Sequence, residues 1–470
     1  MTDTTSRPRR WPHYRTVWRW HFYAGLFCVP LVLWLALTGS IYLFKPQIEA
    51  WLDRAYDGLP VRGAAAAPSA QVAAALAVVP GGVLSAYEMP VAAEASTRVL
   101  VAQGERLWRV YVDPYSLRVL GRVDENRRPM RLLFYLHGEL LMGRAGSMLV
   151  ELAACWGVVM LLTGLALWWP RHWRGAAGLL YPRLRHGGRL FWRDLHAVSG
   201  VWVSLLALFL IVSGLPWSQN WGGLLKQARE LAADHEVRQD WNAGRRQELL
   251  QQHREAAGQA QALHAAMGHA GMDMGAGMDM PMPAAVPADA YRALDMLVPR
   301  ARSLALAPPA LLSPPDRVDG PWKLHSDAAD RTQRVDLQLD AQANILKRVD
   351  FAQRPLIDRM VGVGVAAHEG QLFGWPNQLL GLFTATGLSL VCVSAAMLWW
   401  GRRRPGRLGT PAPHETSPLA MGAFVLILLL GVFLPLFGLS LILVRVLEWA
   451  WLRRWPRAAH FLGLRTYEDV

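Results

Sequence analysis

The stretch WRWHFYAGLFCVPLVLWLALTG, residues 18–39, holds the features that decide the fold: an aromatic and basic entrance, one histidine and a long apolar run. The same order returns later, where Trp192-Arg193-Asp194-Leu195-His196 leads into a second apolar run. Each run reaches a small pair, Thr38-Gly39 or Ser213-Gly214, 17 and 18 residues after its histidine. The two halves of the chain therefore contain equivalent histidine-led apolar segments.

A second pair of histidines recurs with equal regularity. His137-Gly138-Glu139 and His368-Glu369-Gly370 each precede a Trp-Trp pair, Trp168-Trp169 and Trp399-Trp400, by the same 31 residues. Four imidazoles in two equivalent pairs predict two metal centres held between helices. A single histidine of this kind is more often an interfacial anchor, but the fourfold match favours ligands.

The composition is that of an integral membrane protein, with 53% hydrophobic residues and 22 tryptophans among 470 residues. An apolar run of about 20 residues is long enough to cross a hydrocarbon core of roughly 30 Å as a helix. Five such runs occur, at about 22–44, 148–169, 197–217, 379–400 and 419–444. The sequence therefore predicts five membrane helices.

Arginine placement predicts the orientation. The segment before the first run and the short loops after the second and fourth runs are rich in arginine, as cytoplasmic segments are. We therefore expect a bacterial inner-membrane protein with a cytoplasmic amino terminus and both long connections in the periplasm. The formal charge of +13 is explained by these segment ends, so no nucleic-acid partner is expected. Pro435 can kink the fifth run, which leaves the side of the carboxyl terminus open.

The predicted fold class is a mainly α membrane protein: a duplicated bundle of four core transmembrane helices, a fifth C-terminal helix and two small α+β periplasmic modules. The predicted order along the chain is a cytoplasmic N-terminus 1–20, TM1 21–45, module 1 46–130, the His137 segment with TM2 131–170, a basic cytoplasmic loop 171–195, TM3 196–217, module 2 218–365, the His368 segment with TM4 366–400, a cytoplasmic loop 401–417, TM5 418–446 and a tail 447–470.

Each predicted module contains a strand, a turn led by aspartate and another strand. Alternating apolar residues mark the strands, and Asp113 and Asp340 lead the turns. The predicted elements are a helix at 70–79, strands at 98–102, 107–112 and 118–123 in the first module, and strands at 334–339 and 345–349 in the second.

Neutral imidazole is a good axial ligand for haem iron, and two helices that each offer one imidazole can bind both faces of a porphyrin. We expect His21 with His196 to form an inner b-type haem centre, and His137 with His368 to form an outer one. No catalytic residue is expected beyond these centres.

Two arginines stand beside the inner histidines in the sequence. Arg19 precedes His21 by two residues, and Arg193 precedes His196 by three. Because guanidinium binds carboxylates in bidentate fashion, Arg19 and Arg193 are candidates for contacts with haem propionates.

The spacing of the outer histidines sets a geometric condition. At 1.5 Å per residue, 31 residues of continuous helix span roughly 46 Å, which exceeds a hydrocarbon core of roughly 30 Å. Either the outer centre stands above the hydrocarbon, or the helices break near Gly143 and Pro376.

A methionine-rich tract indicates a different metal. Thioethers and imidazoles suit Cu(I), and a repeated Gly-Met-Asp-Met unit supplies several of them. The alternative is a disordered segment without a ligand. The candidate copper ligands within residues 264–282 are His264, Met267, His269, Met272, Met274, Met278, Met280 and Met282.

Taken together, these motifs resemble the PepSY-associated transmembrane family, which includes FoxB-type siderophore reductases of the bacterial inner membrane. The resemblance covers roughly residues 15–405 and is carried by Trp18-Arg19-x-His21, Trp192-Arg193-x-x-His196, His137-Gly138-Glu139-Leu140, His368-Glu369-Gly370-Gln371-Leu372-Phe373-Gly374 and the two turns at Asp113 and Asp340. It implies two b-type haems, PepSY-like periplasmic modules and electron transfer through the lipid bilayer to a periplasmic ferric siderophore, as in a haem-dependent ferric-siderophore reductase.

Two rival functions remain open at the level of sequence. One is copper binding or Cu(II) reduction through the Met/His tract, and the other is a haem-free regulatory or binding protein of the PepSY type. Because the short loops contain neither a nicotinamide fingerprint nor a P-loop, the electron donor is expected to be quinol, a partner reductase or a soluble cytoplasmic carrier.

Overall fold

The computed structural model describes residues 12–170, 175–232, 258, 291–317, 320–411 and 421–464. These residues belong to two compact units. The helical unit comprises the described parts of Met1–Ile41, His137–His235 and Leu379–Val470, and the sheet unit those of Tyr42–Leu136 and Glu236–Gln378. Five helices are long and apolar enough to cross a membrane, which agrees with the predicted multi-pass protein.

Long apolar runs form helices here because a membrane-spanning backbone must satisfy its own hydrogen bonds. The four predicted core spans are the helices that begin at Tyr14, Arg144, Gly188 and Trp375. The described helices, in chain order, are α1 (Tyr14–Tyr42), α2 (Lys45–Asp53), α3 (Pro68–Ala77), α4 (Pro129–Glu139), α5 (Arg144–Trp168), α6 (Gly188–Gly214), α7 (Trp221–Ala232), α8 (Leu294–Ser303), α9 (Leu356–His368), α10 (Trp375–Trp400), α11 (Met421–Phe433), α12 (Pro435–Ala450) and α13 (Pro456–Leu462).

The break expected near Gly143 is present between α4 and α5. Leu140, Leu141 and Gly143 have φ angles of 51°, 57° and 58°, which a right-handed helix cannot contain. The first turn of α5 then packs against the end of α4, where Gly146 lies directly beside the carbonyl oxygen of Glu139. The chain therefore reverses its course within a few residues after His137.

The second expected break lies between α9 and α10. Gly370 and Gly374 have φ angles of 74° and 70°. The buried side chain of Asn377 holds the connection, because its Nδ2 donates to Ala367 O at 2.9 Å and its Oδ1 accepts from Leu372 N at 3.1 Å. The helices therefore break at both positions, which is the second of the two alternatives that the spacing of the histidines allowed.

The strands predicted as two modules lie in one eight-stranded antiparallel sheet of order β4-β3-β2-β1-β5-β6-β7-β8. Pairing of Tyr87 with Leu312 and of Glu88 with Leu311 joins the first four strands to the last four. Its strands are β1 (Val83–Glu88), β2 (Thr97–Gln103), β3 (Arg106–Val112), β4 (Val119–Asp124), β5 (Ala310–Ser313), β6 (Trp322–Ser326), β7 (Val335–Leu339) and β8 (Ile345–Asp350). The two sequence modules are therefore halves of a single sheet rather than separate sheets.

The two turns led by aspartate are confirmed. The Asp113 carboxylate accepts from Ser116 Oγ at 2.6 Å and from Tyr115 N at 2.9 Å. The Asp340 carboxylate accepts from two backbone amides, at 2.9 Å from Gln342 and 2.8 Å from Asn344. An aspartate side chain that caps its own turn in this way explains why both strand pairs could be recognised from sequence.

The fifth predicted span, 418–446, consists of two helices instead of one. Pro435 lacks the N–H that would continue α11, and Leu434 between the two helices has φ −119° and ψ 83°. Pro411, which precedes α11, and Gly463, which follows α13, both accept hydrogen bonds from Arg19. Pro411 and Gly463 therefore both lie close to Arg19, near the amino-terminal end of α1.

Substitution of Gly146 by alanine is predicted to destabilise the protein by about 1–3 kcal/mol, because a methyl group there overlaps the carbonyl of Glu139. Gly138→Ala is the matched control, since a methyl group at that helical position meets no atom within 4 Å. Thermal unfolding of both variants in detergent measures the difference. Equal midpoints for the two variants would contradict the packing described for the α4–α5 break.

Candidate functional site

The helical unit brings His21 of α1 and His196 of α6 together. Their ring centroids are 6.2 Å apart and the ring planes make an angle of 80°. Both side chains are partly buried. The first predicted histidine pair therefore exists as a pair of facing imidazoles.

Hydrogen bonds at Nδ1 determine the tautomer of both rings. The Thr163 hydroxyl donates to Val159 O at 2.7 Å, so it accepts the hydrogen bond from His21 Nδ1 at 3.0 Å. His196 Nδ1 donates to Val391 O at 3.1 Å. Each ring therefore carries its proton on Nδ1 and its lone pair on Nε2, the arrangement that metal-binding histidines adopt.

A hydroxyl side chain stands at equivalent positions of α5 and α10. Thr163 stands 26 residues after His137, and Ser394 stands 26 residues after His368. Ser394 Oγ lies 3.4 Å from His196 Nδ1, beside the Val391 carbonyl. The two halves of the chain thus place a hydroxyl group at the same point beside an inner histidine.

The helical unit also positions His137. Its Nδ1 lies 2.9 Å from Thr38 Oγ1, and the Thr38 hydroxyl donates to Trp34 O at 2.8 Å. His137 therefore has the same tautomer as His21. Thr38 follows His21 by 17 residues of α1, which corresponds to roughly 26 Å along the helix axis.

Small residues lie against two of the rings. A methyl group at Gly164 would stand 3.2 Å from His21 Cε1, and one at Gly39 would stand 3.2 Å from His137 Cε1. In both cases the glycine directly follows the threonine that accepts the Nδ1 hydrogen bond. At one end of α1, His21 packs against Thr163-Gly164 of α5. At the other end, Thr38-Gly39 of α1 packs against His137 of α4.

His368 is the last residue of α9, close to the position that His137 occupies on α4. It belongs to the sheet unit, whereas His137 belongs to the helical unit. The neighbouring Glu369 carboxylate lies 3.7 Å from Arg331. The pairing of His368 with His137 stays a prediction.

The two arginines expected beside the inner centre have other partners. Arg19 donates to Pro411 O at 2.6 Å and to Gly463 O at 3.0 Å. Arg193 donates to the fully buried Asp194 carboxylate at 2.8 Å, which Arg183 also binds at 2.6 Å. Both guanidinium groups therefore hold segments of the protein together.

The buried carboxylate of Glu151 in α5 is likewise structural. It accepts from the backbone amides of Asn220 at 2.8 Å and Trp221 at 3.0 Å, where α7 begins. A carboxylate at this position satisfies amide groups that a helix leaves without partners at its amino-terminal end. These hydrogen bonds account for the burial of Glu151, so no ligand is needed to explain it.

The two imidazoles of His21 and His196 suit a metal ion whose other ligands belong to a cofactor. Within the described ranges, no group of three or more His, Cys, Asp or Glu side chains is placed to hold a metal ion. A protein zinc site normally needs three or four such ligands. Two imidazoles fit an iron whose four equatorial ligands come from a porphyrin. The predicted copper ligands, His264 to Met282, lie outside the described residues.

The model of one protein family, described as the PepSY-associated TM region, matches residues 18–402. No curated protein matches the chain. The matched range includes all four histidines.

Replacing Thr163 by valine is predicted to cost about 1–3 kcal/mol of stability, because it leaves the Nδ1–H of His21 without its acceptor. Thr384→Val is the matched control: Thr384 is buried too, but its hydroxyl bonds only to Leu380 O of its own helix at 2.8 Å. Unfolding midpoints of the two variants provide the comparison. A loss in T384V as large as that in T163V would argue against the proposed role of Thr163.

Proposed function

The chain belongs to the family of the PepSY-associated TM region, and we propose that it is a di-haem b-type protein of the bacterial inner membrane that reduces a periplasmic ferric siderophore. His21 and His196 would hold one haem and His137 and His368 the other, and these haems would supply electron transfer across the bilayer for the release of Fe(II). The protein acts in this proposal as a haem-dependent metal reductase.

The proposal rests on the distance between the ring centroids of His21 and His196. Metal–imidazole nitrogen bonds are about 2.0 Å long, so two rings at this separation would both be able to bind one metal ion. The observed centroid distance is 6.2 Å. The lone pairs on Nε2 and the partial burial of both rings fit the same ligand.

The haems are proposed to be attached to the protein non-covalently, as in a b-type cytochrome. Covalent attachment uses a Cys-x-x-Cys-His motif, which the sequence does not contain. Cys28, Cys155 and Cys392 are buried within membrane helices. When bound, the haem supplies one-electron transfer.

The side chains of the protein orient the ligands and shield the centre. Thr163 and Val391 accept the Nδ1 hydrogen bonds, and such second partners fix the ring orientation and raise the basicity of the coordinating nitrogen. The hydrogen bond from His137 to Thr38 prepares a third ring in the same way. Apolar helices exclude water from around the rings.

The outer haem is proposed at His137 and His368 on the strength of their matched sequence positions. The separation of roughly 26 Å between His21 and the partner of His137 along α1 supports two centres at different depths. Arginine enrichment beside His21 and His196 supports the assignment of the inner centre to the cytoplasmic side. The sheet unit is proposed to be periplasmic, with PepSY-like halves that arose by duplication of the chain.

The proposed substrate follows from the chemistry of ferric chelates. Siderophore oxygen donors are hard ligands, which hold Fe(III) far more tightly than Fe(II). A haem held by His137 and His368 would supply the one-electron chemistry that reduces the chelated Fe(III) to Fe(II), which the unchanged chelator holds far less tightly. Quinol or a partner reductase is the proposed donor.

Replacement of His21 or His196 by alanine is predicted to lower the haem content from two to one per chain, because the inner iron loses an axial ligand. His186→Ala is the control, since His186 lies on an exposed loop. Pyridine haemochrome spectra of the purified variants give the haem to protein ratio. Two haems per chain in H21A and H196A would refute the assignment of the inner pair.

Deletion of residues 264–282 distinguishes iron from copper as the cargo. The iron proposal predicts that reduction of a ferric siderophore by the deletion variant, measured by capture of Fe(II) in proteoliposomes, stays within about twofold of wild type. The copper alternative rests on the six methionines between Met267 and Met282, and predicts lost Cu(I) binding together with lost metal reduction. Loss of Fe(II) release on this deletion would contradict the iron proposal.

A further inference from the structure

Arg402, just beyond the end of α10, has no acidic partner within the described parts of the chain. Its guanidinium carbon lies 5.2 Å from the Trp18 ring centroid and 5.1 Å from the Phe22 ring centroid. Its Nε is buried without a hydrogen-bond partner, and no carboxylate among the residues that the structure places pairs with it. A half-buried cation in this setting usually pairs with an anion.

The guanidinium lies on the side of α1 that presents His21. Residues three and four apart on a helix share a face, so Trp18 and Phe22 share a face with each other, and Trp18 shares one with His21. Arg402 contacts both aromatic rings and therefore stands within about one helical turn of the histidine. Arg19, by contrast, is two residues from His21 and points to the C-terminal segment.

A second cation lies close to Arg402. Burial lowers the pKa of Arg402, and the charge of Arg189 lowers it further. Arg189 precedes His196 by seven residues, two turns of α6, and so lies on the face of that helix that carries the histidine. No ion pair joins either guanidinium group to a carboxylate among the described residues. The two groups therefore form a positively charged site near the inner histidines.

We propose that Arg402, with Arg189 beside it, binds a propionate carboxylate of the haem held by His21 and His196. This inference rests on the proposed function. Guanidinium and carboxylate form charge-assisted bidentate hydrogen bonds, and the Trp18 and Phe22 rings hold the guanidinium in place. The pair takes the role that the sequence suggested for Arg19 and Arg193.

The test combines a substitution with a chemically altered haem. Full-length protein made in haem-deficient cells is loaded with protohaem or with protohaem dimethyl ester, whose propionates carry no charge. Wild type, Arg402→Gln, Arg402→Lys and the control Arg404→Gln are compared by the rate of haem transfer to apomyoglobin. Arg404 is exposed and lies in the same turn.

R402Q is predicted to release protohaem about tenfold faster than wild type does, because a charged hydrogen bond is lost, with R402K intermediate and R404Q unchanged. With the dimethyl ester, wild type and R402Q are predicted to release at equal rates. Faster release of both haems by R402Q would indicate a purely structural role and overturn the inference. Unchanged protohaem release accompanied by loss of co-purified anionic phospholipid would instead assign Arg402 to a lipid headgroup. Failure of wild type to bind either haem would refute the proposed function itself.

Discussion

The hydrogen bonds donated by Nδ1 of His21 and His196 are the constraint on which the site depends. An imidazole N–H inside an apolar bundle costs free energy unless it meets an acceptor. Thr163 on α5 and Val391 on α10 provide those acceptors, so that each ring is oriented by a helix other than its own. The Nε2 atoms are thereby left to a ligand only when α1, α5, α6 and α10 pack together.

The break between α4 and α5 extends this arrangement to the other end of α1. A continuous helix would carry His137 away from the bundle, since its 31 residues to Trp168 exceed the thickness of the hydrocarbon core. The left-handed residues Leu140 and Leu141 reverse the chain instead. His137 then contacts Thr38, so that the two histidine sites lie roughly 26 Å apart along α1.

Much of this architecture could be predicted from sequence because it is local. Apolar length predicts the four core spans, and glycine and proline mark both places where a break was one of two alternatives. The pairing of β1 with β5 could not be predicted, because it joins strands far apart in sequence and neither strand shows a clear alternation. The sheet was therefore expected as two separate modules.

In the candidate site, too, the sequence predicts local features but not contacts between distant residues. Both inner histidines were found from their repeated context, whereas Thr163 resembles any threonine that bonds to its own helix. Arg19 was assigned by proximity in sequence, although a residue two positions from His21 points to another side of the helix. Arg402 follows a different helix, and only the fold brings it to Trp18.

Low-temperature electron paramagnetic resonance of the oxidised protein tests the central claim, that His21 and His196 would both ligate the iron of one haem. The ring planes stand 80° apart. The account predicts a low-spin ferric signal with the strong g anisotropy of nearly perpendicular axial imidazoles. A spectrum with only high-spin ferric haem, or with no haem signal at all, would contradict it.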